Sequence, residues 1–122
     1  MGTVPAEKGE GSREARHYCL VREDLAPEMK MVMIGHAAGE SGVLGLAPDS
    51  RTAFIALQAE AGPMELLATA LDRRGIKYVR ITGVYEPEVG ALLALGIEPS
   101  TEARLRKLVW HFRKASASGG SG

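Results

Sequence analysis

The stretch MKMVMIGHAAGESG, Met29 to Gly42, lies between two short apolar runs, and its conformation decides how those runs can pair. It has β-branched side chains only at Val32 and Ile34, and it is entered through Pro27, whose fixed φ and missing N–H suit the first turn of a helix. The glycines Gly35, Gly39 and Gly42 follow a helical stretch and do not lead from a strand into a helix N-terminus. They read as helix termination and exit in preference to a phosphate loop. A helix here makes RHYCLVRED, Arg16 to Asp24, and RTAFIALQAE, Arg51 to Glu60, strands joined by a crossover, and strands so joined pair in parallel.

Working outward, GPMELLATALDRRG, Gly62 to Gly75, predicts a second helix. Pro63 stands at a first helical position, Met64, Leu67 and Leu71 share one face, arginines occupy the last turn, and Gly75 is the stop. IKYVRITGV, Ile76 to Val84, and GALLALGIE, Gly90 to Glu98, are two more strands. The turn between them, with Pro87 and Gly90, is too short for a crossover, so this pair is expected to be antiparallel. PSTEARLRKLVWHFRKA, Pro99 to Ala115, predicts a final helix capped by Ser100 or Thr101, with Leu105, Leu108, Val109 and Phe112 on one stripe. The order βαβαββα predicts an α/β three-layer sandwich around a four-stranded mixed sheet. Residues 1–16 are expected to be a disordered lead-in, 17–115 the domain, and 116–122, SASGGSG, a linker-like tail.

A chain of 122 residues is expected to form one core, and 15 basic residues balance 15 acidic ones. No global field therefore recruits nucleic acid or an acidic membrane, and such binding would need a local patch. The lone Cys19 excludes an intramolecular disulfide and a cysteine-rich metal site, and its apolar run suits a buried reduced thiol and a cytoplasmic protein. No apolar stretch approaches the roughly 20 residues of a membrane span. His17, His36 and His111 stand on separate elements without ligand spacing, so neither a metal nor another cofactor is expected.

Two surfaces are singled out. On a helical wheel Met31, Ile34 and Ala38 share one side of the first helix, and Met29, Val32, Met33 and His36 share the other, with only Lys30 and Gly35 between. A helix apolar on two faces must be covered on both, yet an outer helix of a small sandwich has one face on its sheet. The outer face is expected to be Met29, Val32, Met33 and His36, covered by a partner or by the loop carrying Val43, Leu44 and Leu46. On the last helix Trp110 falls opposite the leucine stripe, with Arg106 a turn before it and Arg113 and Lys114 after it. It suits an interface anchor, RNA stacking, or a ring lying under arginine stems. The acidic pairs Glu23 with Asp24 and Glu86 with Glu88 read as solvated turns that could also place a carboxylate near strand ends.

Three segments, YCLVREDL at the first strand, GHAAGES at the end of the first helix and ALLALGIEP at the fourth strand, have the order and spacing of a known family. Over about residues 17 to 112 the chain resembles the type 2 peptidyl-tRNA hydrolases, in particular their short bacterial members. The resemblance implies a mixed four-stranded sheet sandwiched by helices, cleavage of the ester linking a peptidyl or aminoacyl group to tRNA, dimers, and no required metal. His36 matches the family histidine, but the family's lysine and glutamine fall at Met29 and Met33. Its aspartate and two threonines fall at Ile81 or Thr82, Tyr85 and Leu93.

If hydrolysis survives, its candidates are His36, Thr82 and Glu86, with tRNA held by Arg106, Arg113 and Lys114. Since the polar positions on the cleft side of the first helix have become apolar, the leading expectation is a scaffold that assembles through Met29, Val32, Met33 and Trp110. The expected partners are further copies of the chain, or a second chain, natural or designed; no membrane partner is expected.

Overall fold

The computed structural model of the chain describes residues 15–44 and 52–115. Their order is β1 (Arg16–Arg22), α1 (Pro27–Ser41), β2 (Ala53–Ala59), α2 (Ala61–Arg73), β3 (Tyr78–Thr82), β4 (Leu92–Ile97), α3 (Ala103–Val109) and β5 (Arg113–Lys114). One mixed sheet runs β3-β4-β1-β2-β5, with β1 and β2 parallel and the other neighbours antiparallel. Of the expected lead-in only Ala15 and Arg16 fall within the described residues, and Arg16 already pairs with Ala53. The expected tail, 116–122, and Leu46 of the expected covering loop lie outside them.

The sheet has five strands, not four, and the element order gains a terminal strand. The last helix stops at Val109, the Phe112 N–H bonds back to the Val109 carbonyl, and Arg113 and Lys114 pair with Gln58 and Leu57. Without them β2 would end the sheet as a bare row of N–H and C=O groups. Neither Ser100 nor Thr101 takes the cap position, which falls to Glu102. The Ser100 hydroxyl accepts from the Glu102 N–H, while the Ser100 backbone bridges to Arg16. The leucine stripe is inward, with Leu105 and Val109 buried and Leu108 and Phe112 packed against the core.

Alternation along β1 divides that core in two. Tyr18 and Leu20 face α2 and α3 in a large cluster with Met64, Leu67, Leu71, Leu95 and Ile97. Cys19 and Val21 face α1 across a cluster of small groups, Ala37 and Ala94. The small side chains let α1 lie close: a Cβ added at Gly96 would overlap the Ala37 carbonyl and the Ser41 side chain. At the same contact the Ser41 hydroxyl donates to the Ala37 carbonyl at 2.6 Å, so the His17 Nε2 at 2.7 Å from Ser41 Oγ carries the proton and donates to it.

This seating corrects the reading of the first helix. Met31 is 66% exposed instead of facing the core, whereas Ile34 and Ala38 do pack inward, and so does Met33, one of the residues expected on the outer face. The fully buried positions are Lys30, Ala37 and Ser41, the stripe that runs through the boundary between the two apolar sides. Val43 is exposed and so does not cover the outer face.

Gly96→Ala is expected to destabilise the fold by about 1–3 kcal/mol through overpacking, read as a lower urea midpoint at constant slope. A second expectation concerns His17, whose pKa burial lowers. The folded chain then binds that proton less readily than the unfolded one, so the stability carried by neutral His17 is complete above the ordinary value of about 6.5. It is lost as pH falls through that value toward the lower folded one. Urea midpoints taken on both sides of it should drop in acid for the wild type and drop less for His17→Gln.

Candidate functional site

A cleft of about 530 Å³ opens between α1 and the chain that leaves β3. Met29, Val32, Met33 and His36 of α1 form one wall, and Ile81, Thr82, Val84, Tyr85, Glu86 and Glu88 form the other. Leu25 and Leu93 complete the lining.

Local irregularities build the second wall. The β3–β4 register shifts between Ile81 and Thr82, so Thr82 pairs with Leu92. Leu92 then joins the core on the α2 side, while the next residue, Leu93, faces the cleft. Beyond the bulge the chain folds back on Gly83, where a Cβ would overlap the Glu88 backbone. The Gly83 N–H bonds to the Ala91 carbonyl and the Gly90 N–H to the Gly83 carbonyl, both at 3.0 Å. With the backbone so tightly closed, Val84 and Tyr85 point into solvent.

Arg22, at the end of β1, fastens this loop. Its guanidinium donates to both Asp24 carboxylate oxygens at 2.8 and 2.9 Å, and to both Glu88 oxygens at 2.8 and 3.2 Å. Hydrogen bonds from Arg22 hold both carboxyl groups below their ordinary pKa and raise that of Arg22. The Glu88 carboxylate is therefore committed to holding the loop, while Glu86 remains exposed at the cleft.

Seven of the residues singled out in the sequence, Met29, Val32, Met33, His36, Thr82, Glu86 and Glu88, meet at this cleft. So do Ile81, Tyr85 and Leu93, the other positions to which the family resemblance assigned site residues. The remaining candidates lie elsewhere. Trp110 is 76% exposed at the end of α3 and borders a shallow depression of about 290 Å³ with Ala103, Arg106 and Lys107. Arg113 and Lys114 are on β5, where Arg113 lies 3.9 Å from Glu23. Since α3 packs on the opposite side of the sheet from α1, Trp110 and the cleft belong to different faces of the domain.

Sequence reasoning missed Lys30. Its side chain is only 2% exposed, and its Nζ donates to Gln58 Oε1 on β2 at 3.0 Å. The available signal was its place between the two apolar sides of the helix, which is also the line along which the helix meets the sheet.

Chemically, the cleft offers an apolar interior with the His36 imidazole, the Thr82 and Tyr85 hydroxyls and an acidic rim. Cys19 is no accessible nucleophile, because burial pushes its thiol up to about 12. Among the described residues no three His, Cys, Asp or Glu side chains converge to hold a metal, and no helix is long and apolar enough to cross a membrane. No protein-family model matches the chain, and no curated protein matches it as a relative.

The Lys30–Gln58 pair yields a double-mutant prediction. Lys30→Met and Gln58→Leu should each destabilise, since each leaves a buried polar partner behind, by about 1–3 kcal/mol. The double variant should recover part of that loss, with a coupling of about 0.5–3 kcal/mol in denaturant titrations. Strict additivity would show that the two side chains do not act as a pair.

Proposed function

We propose that the chain is an assembly module that associates with further copies of itself through the apolar cleft beside α1. The observation that carries this reading is the exposure of large apolar side chains around one concave surface. Met29 is 42% and Val32 52% exposed on the helix wall, and Val84 and Tyr85 stand out from the loop wall. A contiguous apolar surface of this kind marks an interaction site, and the methionines let one wall adapt to what fills it. Balanced charge leaves no net repulsion between copies. A second chain, natural or designed, would use the same surface, and the buried free thiol of Cys19 suits a reducing cytoplasm.

Light scattering on eluting peaks tests the proposal. The wild type should run above the 13.0 kDa of one chain, and Met29→Lys with Met33→Gln should return it to that mass. A wild type that remains monomeric at every concentration would remove it.

A second reading, cleavage of the ester in peptidyl- or aminoacyl-tRNA, is favoured by one observation: His36, Thr82 and Glu86 border the same cleft as every family position named above. In this reading His36 or Glu86 activates a water for attack on the ester carbonyl. The cations Arg106, Arg113 and Lys114 lie on other elements than the cleft, which weighs against a single tRNA contact reaching both. Incubation with N-blocked aminoacyl-tRNA should release the amino acid in a His36-dependent manner; release no faster than in buffer would dismiss this reading.

A further inference from the structure

We propose that the assembly is head-to-tail, with Trp110 of one copy inserted into the apolar cleft of the next. This rests on the self-association proposed above and specifies its geometry.

Trp110 is the sole tryptophan, and it projects from the end of α3 with most of its surface in water. Arg106 and Lys107, one turn earlier on the same face, have no acidic partner among the described residues. The result is an indole in a cationic collar, the combination in which tryptophan and arginine dominate interface energetics.

The cleft has the complementary character. Its volume, about 530 Å³, lies in the range of pockets that enclose whole ligands, so an indole enters with room for part of its collar. Its interior is apolar and its rim is acidic. Glu86 is exposed there, and Asp24 and Glu88 bring two negative charges against the single positive charge of Arg22. An apolar knob with a positive collar thus meets an apolar hole with a negative rim, which favours docking in one orientation.

Within one chain the two cannot meet, because α3 and α1 pack on opposite sides of the sheet. Among the described residues, each copy therefore presents one unfilled knob and one unfilled hole. Such a contact is heterologous: it generates a ring if the rotation closes and a filament if it does not. Two α1 faces meeting about a two-fold axis would instead leave Trp110 in water.

Complementation between two variants of the full chain distinguishes these arrangements. Trp110→Ala removes the knob, and Val32→Arg fills the hole with a charge that repels the collar. Both sites are exposed, so thermal unfolding by circular dichroism should match the wild type for each. Each variant alone should have the mass of one chain, and an equimolar mixture should reach twice the 13.0 kDa chain mass and no more, since one knob and one hole remain. In that mixture the only tryptophan belongs to the Val32→Arg chain, and its emission should shift to the blue as the Trp110→Ala chain is titrated in. If Trp110→Ala assembles as the wild type does, or the mixture stays monomeric, head-to-tail docking is overturned and self-association by another contact stands. A monomeric wild type removes self-association itself.

Discussion

The contact between α1 and the sheet at Gly96 sets the roll of the helix, and the outer surface of the domain depends on that roll. Gly96 admits the Ala37 carbonyl and the Ser41 side chain at a distance that no Cβ would permit. The chain of hydrogen bonds from His17 through Ser41 to Ala37 fixes the helix at the same point, in a region where an unpaired polar group would cost a great deal. Since side chains in a close-packed interior interdigitate, fixing one turn fixes the whole helix face. Lys30, Ala37 and Ser41 turn inward, and Met29, Met31 and Val32 turn out.

The cleft follows from this roll combined with the path of the chain after β3. The bulge at Ile81 and Thr82 and the return of the backbone over Gly83 place a wall opposite α1, and the Arg22 clamp on Glu88 ties that wall to the end of β1. The two walls are thus held by independent parts of the fold, one by close packing and the other by charge-assisted hydrogen bonds. A cleft held in this way is preformed, so filling it carries little ordering cost, and apolar occupants gain most.

Most of the fold was legible in the sequence because its signals are local. Pro27 and Gly75 bound helices, the short apolar run of β1 suits a strand buried on both faces, and a turn too short for a crossover makes β3 and β4 antiparallel. Two features were not legible, and both are non-local. The fifth strand is two residues, Arg113 and Lys114, inside a helical pattern, and it forms because β2 presents an open edge to them. The roll of α1 could not be read from a helix apolar on two sides, because what decides it is the small surface of Ala94 and Gly96 on a strand far along the chain. The site was legible in part. His36, Thr82, Glu86, Met29 and Met33 were named from the helix wheel and a family resemblance, whereas burial of Lys30 against Gln58 needed the position of β2.

The methionines report on both the roll and the cleft, since sulfur oxidation follows exposure. Pulsed peroxide oxidation, resolved residue by residue in the mass spectrometer at low and high protein concentration, is therefore the most direct measurement. In the dilute chain Met29 and Met31 should oxidise and Met64, in the core, should not. At high concentration Met29 and Met33, which line the cleft, should become protected while Met31 keeps its rate. A Met31 as protected as Met64 in the dilute chain would contradict the roll of α1, and a Met29 rate that ignores concentration would contradict a cleft filled by a neighbouring copy.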